Sequence, residues 1–118
     1  MNKPRPFLLA MVQMHVEGGK KEQNIAHAGD LIAEAAAAGA ELALLPECLD
    51  LGWCHPSSAR EAEPIPAGAS FKALARAAET NRIALCAGLT EEAEGEVYNT
   101  AVYITSKGEP AGIHRKIN

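Results

Sequence analysis

A carboxylate and an amine carry the strongest chemical signal in this sequence. Glu47 follows the apolar run Leu42, Ala43, Leu44, Leu45 and Pro46, and Lys116 closes the basic tripeptide His114-Arg115-Lys116. A glutamate just past a buried strand lies where open α/β sheets place their ligands. Held near apolar walls, such a carboxylate has its pKa raised and serves as a general base. A lysine at a strand end is a fixed cation suited to a developing oxyanion. Each residue alone also reads as an ordinary solvated charge, Glu47 beside a turn proline and Lys116 at a basic chain end.

A hydrolytic site of this kind also needs a nucleophile. The three cysteines are Cys48, Cys54 and Cys86. Cys48 adjoins Glu47, an arrangement that usually points two side chains apart. Cys54 lies in the same loop with nothing to mark it as activated. Cys86 falls inside an apolar strand and reads as a buried small hydrophobe. The pattern Cys48-x5-Cys54-His55 fits no common zinc spacing and no second ligand pair follows, so no metal is expected. Gly18-Gly19-Lys20 lies between a strand and a helix. It lacks the full glycine spacing of a phosphate loop and the Ser/Thr after the lysine, so no nucleotide cofactor is expected. His15, His27 and His55 have no readable partner in the sequence.

The elements that must hold these residues follow from periodicity. Phe7 to Met14 is a continuous apolar run, as for a strand buried on both faces. A helix follows from about Lys20 to Ala38. Its stripe is Ile25, Ala28, Ile32, Ala35 and Gly39, mostly small residues that allow close approach to a sheet. Gly39 is its expected C-cap. Leu42 to Leu45 is a short buried strand ended by Pro46. Glu47 to Ala69 is a long connection with a short helical turn near Ser57 to Glu63, and long loops in compact domains are often functional. Ser70 is the expected cap of a second helix, Phe71 to Thr80. Ile83 to Gly88 is a further strand, Glu91 to Glu96 an acidic turn, and Val97 to Thr105 a strand rich in β-branched and aromatic residues. After a turn at Lys107-Gly108-Glu109-Pro110, Ala111 to Ile117 forms a last antiparallel strand. The class is α/β with a mixed sheet. Two substantial helices for about five strands leave much of one sheet face uncovered.

At 118 residues the chain is one domain or less. Its 47% hydrophobic and 22% charged residues are a globular balance. A net charge of −4, with the basic residues scattered, argues against a nucleic-acid partner. No stretch approaches a membrane span, so no membrane partner is expected. The N-terminus lacks the pattern of a signal peptide, and an odd number of cysteines shows no disulfide framework. Free thiols in a reducing cytoplasm are the expectation.

Several short segments carry a family likeness. The opening strand holds Val12-Gln13-Met14, Asn24 sits early in the first helix, and Gly39-Ala40-Glu41-Leu42 leads into the second strand. The run LLPECLDLGW, residues 44–53, follows, and later Pro64-Ile65-Pro66-Ala67-Gly68 precedes the second long helix. Gly88-Leu89-Thr90-Glu91, Tyr98-Asn99-Thr100-Ala101 and His114-Arg115-Lys116 complete the series. In this order and spacing the segments resemble the nitrilase superfamily, the carbon–nitrogen hydrolases, along nearly the whole chain.

The resemblance implies an α-β-β-α sandwich and a Glu-Lys-Cys triad. Glu47 matches the general base, which takes the thiol proton and later activates water. Lys116 matches the residue that stabilises the tetrahedral intermediate. The cysteine attacks an amide, nitrile or carbamoyl carbon to form a thioester. Trp53 is expected near the pocket mouth. Glu91, Tyr98, Asn99 and Arg115 fall in the family's structural motifs. No cofactor is implied, the partner is a small molecule, and the full-length protein is expected to be a homo-oligomer. In the family the nucleophile and a further glutamate lie beyond the lysine, and none of Cys48, Cys54 and Cys86 matches the nucleophile motif. Residues 1–118 are therefore expected to be the N-terminal part of a single such domain, truncated before its nucleophile and inactive alone. A competing expectation is a non-catalytic interaction module that pairs with another chain through its uncovered sheet.

Overall fold

The computed structural model describes residues 2–117. Its elements follow the order of the sequence signals. Strand β1 is Leu9–Met11, helix α1 Lys21–Ala37, strand β2 Leu42–Leu44 and the short helix α2 Ser58–Glu61. Helix α3 is Ala69–Asn81, and the strands β3, β4 and β5 are Ala84–Ala93, Glu96–Ile104 and Pro110–Arg115. The five strands form one sheet in the order β1-β2-β3-β4-β5, the first three parallel and the last two antiparallel. Parallel neighbours need a crossover, which α1 and α3 supply; antiparallel neighbours need only a turn.

Small residues let the helical layer sit close to the sheet. Ala28, Ile32 and Ala35 of α1 and Phe71, Leu74 and Ala78 of α3 are buried. They pack on Ala43, Leu45, Leu85, Ala87, Leu89, Val102 and Ile104, which alternate along the strands on one face. The C-cap of helix α1 is Ala38, one residue before the expectation, and the next residue is Gly39. Its φ of 92° suits glycine, and the Gly39 N–H donates to Ala36 O while the Ala40 N–H donates to Ala35 O. This is the Schellman pattern of helix termination.

The opposite sheet face carries no helix. Leu9, Met11, Leu44 and Tyr103 share it through the strand registers and are exposed, Met11 by 72%. Cys86 lies on this face and is only partly buried, not a core residue as expected from its apolar strand. Strand β1 is three residues long and not the doubly buried run from Phe7 to Met14: at this sheet edge Phe7 and Leu8 are exposed.

Two other expectations give way to longer-range contacts. Ser70 does not cap α3; Gly68 holds the cap position, and the Glu63 carboxylate accepts from the Ala69 and Ser70 N–H groups and from Ser70 Oγ. The acidic turn is only Glu94-Gly95, both at positive φ, as a tight two-residue hairpin requires. Glu91 therefore belongs to β3 and is buried. Between β4 and β5 the register shifts at Tyr103/Ile104, where Pro110 to Gly112 oppose only that pair, so β5 carries one extra residue.

The two faces of β2 should respond oppositely to charge. Leu44→Lys should change unfolding free energy by about 1 kcal/mol or less, since the side chain already meets solvent. Ala43→Lys should cost several kcal/mol or prevent folding, because a cation would replace a methyl in the core. Urea denaturation of both variants measures the difference, and equal losses would contradict the one-sided core.

Candidate active site

The site grows from the way residues 45–50 lie against β3. The Leu45 N–H donates to Cys86 O at 2.8 Å, the Gly88 N–H to Pro46 O at 3.0 Å and the Leu49 N–H to Gly88 O at 3.0 Å. The chain passes so close that a Cβ on residue 88 would stand 2.3 Å from the Glu47 Cα. Only glycine permits this approach. One residue further on, the Asp50 carboxylate accepts from the Thr90 N–H at 3.0 Å and from Thr90 Oγ1 at 2.9 Å. Asn24 secures the same loop from α1, its Nδ2 donating to Asp50 O and to Glu17 O, both at 2.8 Å. Asp50 is 1% exposed, and burial pushes its carboxyl above the usual range while the Thr90 and Leu51 hydrogen bonds pull it back. Asp50 and Thr90 fall within the family-like segments of the sequence, but their contact with each other is not readable there.

So seated, Glu47 meets β4 and the residue after β5. Asn99 Nδ2 donates to Glu47 Oε2 at 2.9 Å and Lys116 Nζ to the same oxygen at 3.4 Å. The Lys116 N–H in turn donates to Asn99 O at 2.8 Å. Glu47 and Lys116 are each about half exposed, at 51% and 50%. The Asn99 hydrogen bond, aided by the Lys116 charge, holds the Glu47 carboxyl below the usual range against a smaller opposing effect of burial. This reverses the sequence expectation of a raised pKa. The apolar walls foreseen from residues 42–46 lie behind the carboxylate, while donors and solvent face it.

Arg115 and Lys116 diverge across the sheet. Arg115 Nε donates to Glu91 Oε1 at 2.8 Å and its Nη2 to Glu91 Oε2 at 3.0 Å, a two-pronged clamp. Thr100 Oγ1 adds a third bond to Glu91 Oε1 at 2.8 Å. The guanidinium lies 4.2 Å from the Tyr98 ring centroid, within cation–π range. Glu91 is 5% exposed in its side chain, and the Arg115 bond holds its carboxyl below the usual range. The clamp fixes the end of β5 on one face, and Lys116, one residue on, reaches the other.

Two hollows meet at this point. A cleft of about 430 Å³ is lined by Cys48, Gly52, Trp53, Cys54, Ser58, Thr90, Val97, Tyr98, Asn99 and Lys116. A shallower hollow of about 250 Å³ on the uncovered face is lined by Glu47, Cys86, Gly88, Ala101 and His114 among others, again with Asn99 and Lys116. Trp53 stands at the cleft with 65% exposure. Cys48 is buried, and burial pushes its thiol above the usual range, which opposes a thiolate. Cys54 is exposed at the cleft and Cys86 lies mid-strand in β3. His55 does have partners: Nδ1 pairs with Ser57 Oγ at 2.8 Å, and its ring lies where a Cβ on Gly18 or Gly19 would be. The glycine pair thus makes room for a ring.

The Glu91 clamp should show in acid. Its carboxyl titrates lower in the folded chain than unfolded, so its contribution is complete above the ordinary value of about 4.5 and lost as pH falls through the folded value. Glu91→Gln should therefore cost about 1–3 kcal/mol at pH 7. The gap from wild type should narrow as pH drops below about 4.5. Urea unfolding across pH checks this, and a constant gap would count against it.

Comparison with known proteins agrees with this architecture. The sequence profile of the carbon–nitrogen hydrolase family matches residues 8–118. The chain is 36% identical to nitrilase homolog 2 of Dictyostelium discoideum over 99% of its own length and 36% of that protein's. It is 37% identical to the omega-amidase NIT2 of Danio rerio over 95% of its own length and 40% of that protein's. It thus spans about two fifths of these curated relatives. Its fold superposes on a crystallised amidase from Nesterenkonia sp. with a TM-score of 0.85 at 23% identity, covering 95% of this chain and 43% of that one. Its single helical layer on a single sheet is half of an α-β-β-α sandwich. The chain belongs to the carbon–nitrogen hydrolase family.

Proposed function

We propose that residues 1–118 form the N-terminal part of a hydrolase that cleaves non-peptide carbon–nitrogen bonds in small amides, nitriles or N-carbamoyl compounds. The observation that carries this reading is the meeting of Glu47 and Lys116, 69 residues apart, at 3.4 Å beside an open cleft. An acceptor and a cation in contact can serve one reaction in turn. For an amide, Glu47 takes the proton of a cysteine thiol and the thiolate attacks the carbonyl carbon. The C=O π electrons move to oxygen, and Lys116 stabilises the resulting oxyanion. The carbon–nitrogen bond then breaks, and the nitrogen leaves with the proton from Glu47. Water, deprotonated by Glu47, attacks the thioester and releases the acid and the thiol.

The nucleophile in this reading lies outside residues 1–118. Cys48 is buried in the Glu47 turn, Cys54 sits at the cleft mouth and Cys86 lies mid-strand. None follows Lys116, where the family likeness places the nucleophile. Relatives named omega-amidases make amides the first substrates to test. The full-length protein is proposed to act without a cofactor, as a homo-oligomer. A second reading, an interaction module, draws on the exposed apolar face of Leu9, Met11, Leu44 and Tyr103. A strictly monomeric, well-folded chain in size exclusion would weigh against it.

In the full-length protein, Glu47→Gln and Lys116→Met should each lower kcat for an amide by about 10²–10³-fold with the fold intact. Residues 1–118 alone should trap no thioester. Thioester capture on this chain, or unchanged kcat in Glu47→Gln, would retire the reading.

A further inference from the structure

We propose that Asn99 is the positioning residue of Glu47: it anchors one carboxylate oxygen, so that Lys116 is free to serve the oxyanion and the other oxygen is free to take a proton. The inference rests on the reading of Glu47 as the base. Its warrant is geometric. Both donors reach the same atom, Oε2, Asn99 at 2.9 Å and Lys116 at 3.4 Å. The shorter contact is a full hydrogen bond and the longer lies beyond the usual N–H···O range. Among the described residues no donor reaches Oε1.

Asn99 is itself held firmly. It pairs with Thr90 across β3 and β4, and its carbonyl accepts the Lys116 N–H at 2.8 Å. Thr90 in turn is tied to Asp50 in the Glu47 loop. The Asn99 backbone is therefore held from both sides, by β3 and by the chain after β5, and its position is fixed independently of the Lys116 side chain. Lys116 has long, flexible methylenes and half its side chain in solvent. If Lys116 alone anchored Glu47, the cation would be spent on the base and would have to leave it when an oxyanion formed. A neutral amide donor orients the carboxylate without adding a second positive charge that would further quench its basicity. The other titratable groups facing this point are His114 and Cys86, which line the same hollow, and Cys48 in the same loop.

The test is the titration of the Glu47 side-chain carboxyl, followed by carbon NMR on this chain, in wild type and in Asn99→Leu, Asn99→Ala and Lys116→Met. The Asn99 variants should shift the Glu47 midpoint upward, and the shift should persist at 0.5 M salt. The Lys116→Met shift should shrink there, because a charge contact at half exposure is screened. Asn99→Ala removes the amide without filling the hollow and decides the matter if the leucine disturbs the fold. An unmoved midpoint in the folded Asn99 variant overturns the proposal. In the full-length enzyme, Asn99→Ala should lower kcat by roughly tenfold or more with little change in KM, and move the acid limb of kcat/KM upward. A moved titration with an unmoved acid limb would retire Glu47 as the base while leaving its contact with Asn99 intact. A KM effect alone would overturn the positioning role.

Discussion

The site depends on a missing side chain. At residue 88 the backbone of β3 and the backbone of Glu47 approach so closely that even a methyl group would collide with the Glu47 Cα. That contact sets the height of the Glu47 loop above the sheet. Every later distance follows from it: Asp50 reaches Thr90, Glu47 reaches Asn99, and Lys116 reaches Glu47. Backbone hydrogen bonds from Leu45, Gly88 and Leu49 lock the approach from both sides. A loop held by its main chain in this way is fixed as rigidly as a strand, although it has no regular pattern of its own.

Two kinds of acid in this region show how partners decide ionisation. Asp50 is buried among neutral donors, and burial raises its pKa despite their help. Glu91 is nearly as deep but faces a guanidinium, and its pKa falls. Glu47 is half exposed between an amide and an ammonium and also falls. Depth alone would have given Glu91 the wrong sign. The acceptor at the cleft is an ionised carboxylate, ready to receive a proton.

What the sequence disclosed was local. The helical stripe through Ala28, Ile32 and Ala35, the glycine after α1 and the strands at residues 42–44 and 96–104 rest on neighbours within a few turns. The juxtaposition of Glu47 and Lys116 was available only through the family likeness of ordered motifs. The contacts of Asp50 with Thr90, of Gly88 with Glu47 and of Asn99 with Glu47 were not legible, because each joins residues 40 or more apart. The sign of the Glu47 shift was misread for the same reason: the apolar residues before it are adjacent in sequence, while its donors come from β4 and the end of β5. The uncovered sheet face was foreseen by counting helices against strands, yet the exposure it confers on Cys86 was not.

The extra residue in β5 has a consequence for how this region tolerates length change. Side chains alternate along a strand, so which of two successive basic residues faces the cleft is a matter of parity. The pairing of Arg115 with Thr100 sets that parity, placing Arg115 over Glu91 and Lys116 over Glu47, and the bulge opposite Tyr103 and Ile104 takes up the extra residue without disturbing it. A one-residue slip in that pairing would exchange the two: the guanidinium would turn to the cleft and the ammonium to the buried glutamate. The ammonium cannot reproduce the two-pronged clamp. A slip of two residues would leave the phase intact. The bulge therefore absorbs length between the turn and the site, and the β4–β5 register keeps the phase of the two cations.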